Sequence, residues 1–129
     1  MDTIADFLTA IRNGYLAKRE TITVNVSKTR LEIVKILKEA GFVSDFTVIE
    51  EKPVSKLTVT LRYFEKDLPA IAGIKRVSKP SVRIHKAYNE IPLTLSGAGL
   101  TIVSTSKGLM AGKQASKNHL GGEIICQVW

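Results

Sequence analysis

The sequence predicts an α+β fold, arranged as two small α+β subdomains packed together. An N-terminal αβαββ half is expected over residues 1–65, and a mostly β C-terminal half with short helices over residues 66–129. Three observations carry that reading. In the first half, apolar residues recur at helical spacing in two segments and alternate with polar ones in two others. In the second, short apolar runs are interrupted by Pro80, Gly97, Gly99 and Gly121-Gly122, the punctuation of strands and turns. The charge balance also changes: residues 1–65 hold 10 Lys and Arg against 9 Asp and Glu, whereas residues 66–129 hold 9 against 3.

The elements follow in order. Ile4, Phe7, Leu8, Ile11 and Tyr15 have helical spacing, with Asp2 or Thr3 available as cap. From residue 21 to 26, Ile22, Val24 and Val26 share one face of a half-buried strand. Ser27 is placed to cap a second helix with a buried stripe of Leu31, Val34 and Leu37. Gly41 stops that helix, and Phe42 stands where the chain folds back. Strands are expected over 43–50 and 56–63, with Glu51-Lys52-Pro53 as the turn between them. In the second of these, Leu57, Val59, Leu61 and Tyr63 alternate with Lys56, Thr58, Thr60 and Arg62. Residues 64–69, charged and ending in proline, mark the boundary between halves. Residues 73–78 and 82–86 read as short strands broken at Pro80, 89–95 as a brief helix, and 100–104 as a strand. A hydroxyl-rich loop, a helix near 112–118 and a last strand over 123–129 complete the chain.

Composition narrows the chemistry. A hydrophobic content of 44% supports a packed core. No apolar run nears the roughly 18 residues of a membrane span, and no leader is evident, so a soluble intracellular protein is expected. Cys126 is the only cysteine, which excludes an internal disulfide and fits a reducing compartment. With His85 and His119 as the only histidines, a zinc site is not expected. Gly97-Ala98-Gly99 precedes a strand and lacks a third glycine, so it is no dinucleotide fingerprint. Lys107-Gly108 likewise completes no phosphate-binding loop. Cys126 falls on the face of a C-terminal strand shared with Ile124 and Val128, the setting of a small apolar side chain.

The net charge of +7 lies mostly in the second half, which favours a polyanionic partner. Within that half, Ser104-Thr105-Ser106-Lys107-Gly108 gathers three hydroxyls, a lysine and a flexible glycine at a strand end, donors suited to phosphate and sugar oxygens. Aromatic residues make up only 6%, and no stacking motif of single-strand binders is present. Small hydroxyls and scattered cations suit the shallow minor groove of an RNA helix, where 2′-hydroxyls are exposed. Serine clusters also serve as turn and cap residues, and a basic face also aids solubility. The residues alone leave both readings open.

The segments G-A-G-L-T-I-V-S-T-S-K-G-L-M (97–110) and L-G-G-E-I-I-C-Q-V-W (120–129) closely resemble the C-terminal signature of the bacterial-type small-subunit ribosomal protein eight family. I-A-D-F-L-T-A-I-R-N-G (4–14), L-K-E-A-G-F-V (37–43) and R-V-S-K-P (76–80) extend the resemblance, in order, across essentially the whole chain. The resemblance implies a structural constituent of the small ribosomal subunit, not an enzyme and with no cofactor. Such a protein is a primary rRNA binder that docks on the central domain of small-subunit rRNA and helps its assembly.

By the same resemblance, Ser104, Thr105, Ser106 and Lys107 contact an irregular RNA helix. The glycines of Gly121-Gly122-Glu123 admit RNA backbone, and the carboxylate accepts from a base amino group. Arg76, Lys79, Arg83 and Lys86 are expected on phosphates, with His85 among them where many relatives carry tyrosine. Arg12, Asn13, Ser27, Lys28 and Arg30 are implied at a second rRNA element. Relatives usually place Thr or Ser after the methionine; here Ala111-Gly112 removes a cap worth about 0.5–2 kcal/mol, so a frayed or shortened last helix is expected. The implied partners are small-subunit rRNA and neighbouring small-subunit ribosomal proteins, in cytoplasmic or organellar ribosomes, with no membrane. Two alternatives remain: a translational repressor of an rRNA-like site on its own operon's mRNA, and a small hydrolase using Cys126 or Ser106.

Overall fold

Phe7, Leu8, Ile11 and Tyr15 are buried along one side of α1 (Thr3–Leu16), at the spacing of an amphipathic helix. The structure, a computed structural model, describes residues 3–94 and 97–129; the cap expected of Asp2 and the helix end expected at Leu95 lie outside them. Contacts divide the chain into two units, residues 3–72 and 73–129. Helices and antiparallel sheets are mixed as an α+β fold requires.

In the first unit, α1 is followed by β1 (Thr21–Asn25), α2 (Lys28–Glu39), β2 (Val43–Ile49) and β3 (Lys56–Leu61). The strands form one antiparallel sheet ordered β1-β3-β2. Leu57, Val59 and Leu61 alternate into the core from the central strand. α1 packs on β1, α2 on β2, and the two helices on each other. Gly14 permits the first of these contacts, because a Cβ there would lie 2.6 Å from Ile22 Cγ2.

Ser27 caps α2: its Oγ accepts from the Arg30 amide at 3.1 Å. At the other end Gly41 has φ +83, and the Phe42 amide donates to the Leu37 carbonyl at 2.9 Å, so the chain folds back as a Schellman motif. The buried stripe of α2 is Ile33, Val34 and Leu37, with Leu31 only half-buried. Ile33 and Leu37 stand one turn apart and bracket Val34, which centres the stripe away from Leu31. β3 ends at Leu61 rather than Tyr63, because the Arg62 amide donates to the Tyr15 hydroxyl at 3.1 Å. Tyr63–Phe64 (β4) then pairs with Leu68–Pro69 (β5) in a small hairpin.

The second unit is a sheet ordered β6-β10-β8-β9, where β6 is Ile74–Arg76, β8 Leu100–Thr105, β9 Gly108–Ala111 and β10 Gly122–Val128. Short β7 (His85–Lys86) shares with β6 the edge of β10 opposite β8. The helix α3 (Gly112–Lys117) packs on β8 and β9. Val103, Ala115 and Ile124 form the core, ringed by Val77, Ile84, Ile91, Met110 and Leu120.

Four expectations need correcting here. The segment after the hydroxyl residues is strand β9, paired with β8 from Thr105–Gly108 to Ile102–Ala111, and not a loop leading straight into a helix. The strand runs expected over 73–78 and 82–86 are shorter: regular pairing stops at Arg76, although the Val77 and Ser78 amides still donate to the Ile125 and Ile124 carbonyls at 3.0 Å, and the Ser78 Oγ accepts from the Ile84 amide at 2.8 Å. Of the helix expected over 89–95, the described residues 89–94 hold only the end of a 3-10 turn, Tyr88–Glu90. Ile91 is extended there, as a residue before proline must be. Lastly, Ile124 pairs with Val103 and Cys126 with Ile102, leaving Ile125 as an extra residue between them. Cys126 therefore does not share a face with Ile124, although it does with Val128. The Ile125 carbonyl is used twice, accepting from the Val77 amide at 3.0 Å and from Arg76 Nη1 at 2.9 Å.

Candidate nucleic-acid interface

A tight hairpin between β8 and β9 places Ser106 and Lys107 at its exposed tip. Thr105 builds the turn. Its hydroxyl accepts from the Lys107 amide at 3.1 Å and donates to the Gly108 carbonyl at 2.8 Å. Gly108 completes the reversal at φ +105, a conformation that other residues reach only with strain. The three hydroxyls are therefore not equivalent. Thr105 is engaged within the protein, whereas the hydroxyls of Ser104 and Ser106 have no partner among the described residues.

Register aligns the other expected residues with this tip. Ser104 on β8 lies opposite Glu123 on β10, and Glu123 lies opposite His85 on β7, so the three side chains share one face. Gly122 lies opposite Lys86. The paired glycines have an internal reason as well. A Cβ on Gly122 would run into the Ser104 carbonyl, and one on Gly121 would lie 2.6 Å from the Lys86 carbonyl. Only bare backbone lets β10 enter between β8 and the chain that follows β7.

The expected phosphate-holding residues divide by what they already touch. Arg83 Nη1 lies 3.4 Å from both carboxylate oxygens of Glu123, whose side chain is only 15% exposed. Arg76 donates to the Ile125 carbonyl. Lys79 closes a turn through its backbone with Val82, and it is exposed, as are His85, Lys86 and Lys107. In all, residues 73–129 hold eight Lys and Arg against Glu90 and Glu123, which gives this unit a positive field.

The first unit uses part of its expected set structurally. Ser27 is the cap of α2. Arg30 Nη1 donates to the Asn25 carbonyl at 2.9 Å, and Nε and Nη2 reach the Thr3 carbonyl at 3.4 Å, with the guanidinium over the Phe7 ring. Arg12, Asn13 and Lys28 are exposed.

The structure also brings together residues that sequence reasoning passed over. Tyr88 and His119 stack with ring centroids 4.6 Å apart and planes inclined by 28°. His119 ends α3 at φ +56, where its amide donates to Ser116 and the Leu120 amide to Ala115, a second Schellman motif with imidazole in the glycine position. No pattern in the sequence links the two rings. The absence of glycine after the last helix is the only signal at this position.

Cys126 is closed to chemistry. It is fully buried, and desolvation pushes its thiol up to about 12, opposed only weakly by the Arg76 charge. Among the described residues no cluster of His, Cys, Asp and Glu could hold a metal ion, and no helix is long and apolar enough to cross a membrane.

The model of the family described as ribosomal protein S8 matches residues 2–129. Small ribosomal subunit protein uS8 of Roseiflexus castenholzii is 48% identical over 128 residues, covering 99% of this chain and 97% of that protein. Its counterpart from Dehalococcoides mccartyi is 43% identical, covering 99% and 98%, and that from Clostridioides difficile 43%, covering 99% and 97%.

Proposed function

Because the chain belongs to the ribosomal protein S8 family, whose members are structural, non-enzymatic constituents of the small ribosomal subunit, we propose that it is a primary rRNA-binding protein. It docks on the central domain of small-subunit rRNA through the second unit and helps that domain assemble in the cytoplasmic ribosome. The observation that carries this reading is the alignment of Ser104, Glu123 and His85 across three strands, beside the exposed Ser106-Lys107 tip.

Attraction comes first, from the excess of Lys and Arg. Docking then relies on shape. Ser104 and Ser106 offer hydroxyls to sugar and base edges in a minor groove, and Lys107, Lys79 and Lys86 meet phosphates. Glu123, steadied by Arg83, accepts from a base amino group. Arg76 supports this end of the sheet through the Ile125 carbonyl. Arg12, Asn13 and Lys28 touch a second rRNA element, with Ser27 and Arg30 fixing the helix start that presents Lys28.

The test is footprinting of the purified chain on small-subunit rRNA, with affinities measured for a central-domain transcript. Protection confined to one irregular helix of that domain supports the proposal. Protection elsewhere, or none in dilute buffer, rejects it.

A further inference from the structure

Beside this interface stands an exposed ring pair that the proposed function does not use. Tyr88 is 39% exposed and His119 is exposed as well, yet the two rings are stacked on each other. Glycine would close α3 at His119 with less strain than any other residue. The presence of an imidazole at φ +56 is accounted for by what the ring does, and what it does is cover Tyr88.

The stack is joined to the hydroxyl turn by two residues. A Cβ on Gly121 would lie 3.1 Å from the Tyr88 amide nitrogen, while one on Gly122 would meet Ser104. Exposed Lys86 and Lys117 precede the two rings by two residues each, so positive charge accompanies both. That charge, in a unit with so few carboxylates, favours a polyanion over an apolar protein surface.

We propose that the Tyr88–His119 stack is a platform for an unpaired nucleobase, taken from the RNA strand whose helix lies on the Ser104–Ser106 turn. The inference rests on the proposed function. Every base has a π-face, so the platform selects for an unstacked base and not for a sequence. Bulged and looped bases of folded RNA supply such faces, and irregular helices carry them beside the groove.

The experiment measures binding of the full chain and its variants to a central-domain transcript of small-subunit rRNA. Tyr88→Ala and His119→Gly are each expected to weaken binding by about tenfold, while Tyr88→Phe keeps the ring and the affinity. The slope of log affinity against log salt is expected to stay as in the parent, because no phosphate contact is removed. His119→Gly also relieves the backbone, so its melting temperature holds or rises, which separates a lost platform from a lost fold. If Tyr88→Ala and His119→Gly bind as the parent does while Ser106→Ala binds more weakly, the platform is overturned and the reading of the turn survives. If the parent itself ignores the transcript, both fall.

Discussion

The Thr105 hydroxyl spans its own turn, donating to the Gly108 carbonyl at 2.8 Å while accepting from the Lys107 amide at 3.1 Å. Two neighbouring hydroxyls thus have different tasks. Thr105→Val is expected to lower stability by about 1 kcal/mol, and to weaken RNA binding by releasing the tip. Thr105→Ser retains both properties. Ser106→Ala leaves stability unchanged and weakens binding by on the order of 1–2 kcal/mol. Urea unfolding together with transcript binding distinguishes these outcomes, and a destabilised Ser106→Ala would show that Ser106 also builds the turn.

Gly122→Ala is expected to destabilise the second unit by at least about 3 kcal/mol, the upper range for overpacking. Its Cβ meets the Ser104 backbone, which is fixed in the sheet, and no flexible side chain can give way. Thermal unfolding measures the loss. A melting temperature equal to the parent's would mean that β8 and β10 separate without cost.

Cys126 makes stability sensitive to alkaline pH. Its thiol holds a proton up to about 12 in the folded chain, whereas an unfolded thiol releases it near about 8.5. With the folded value raised, the contribution is complete below about pH 8.5 and is lost as pH climbs toward 12. Burial raises the Tyr15 hydroxyl as well and acts with the same sign. Stability to urea is expected to fall above about pH 9, and to fall less in Cys126→Ala. Iodoacetamide at about pH 8 is expected to spare the folded chain and alkylate it in urea. Rapid alkylation without urea would contradict the closed thiol.

The cap residue of helix α3 is Ala111, which makes no side-chain bond to the first amides, and the helix runs for only six residues. Ala111→Ser is expected to stabilise it by about 0.5–1 kcal/mol. Hydrogen exchange at residues 112–114 is expected to be faster than at Ile124 in the parent and slower in the variant. Equal protection in the parent would show that packing of Gly112 against Thr101 and Ile91 already secures the helix start.

Lys86→Ala is expected to lower RNA affinity and to reduce the salt slope by about one. Arg30→Ala is expected to leave that slope unchanged and to cost about 1 kcal/mol of stability, because its guanidinium holds the Asn25 and Thr3 carbonyls. A salt slope altered by Arg30→Ala would place that side chain on phosphate.

Sequence periodicity revealed the elements that carry their own pattern. α1, β3, the Ser27 cap and the Gly41 stop were all legible, because spacing, alternation and single-residue backbone preferences are local. β9 was not. Leu109 and Met110 show no alternation, and the segment is a strand only because β8 offers it a partner. Hydroxyls and cations could be recognised as types, but their commitments were hidden. Thr105 and Arg30 bond to carbonyls whose positions depend on the fold, and Arg83 finds Glu123 across a strand pair. The Tyr88–His119 stack joins a loop to a helix end and leaves no periodic trace.

The additional residue in β10 has a consequence for how binding and folding share one ribbon. If residues 123–126 alternated strictly, Glu123 and Cys126 would fall on opposite sides, so a polar carboxylate and a buried thiol could not serve the same side of the strand. The insertion resets the phase midway. A single strand thereby seals an apolar interior along most of its length and still carries a polar edge at its mouth. Deleting Ile125 would leave Ile124 and Cys126 as neighbours opposite Val103 and Ile102, so both sets would keep their sides and only the local kink would be lost.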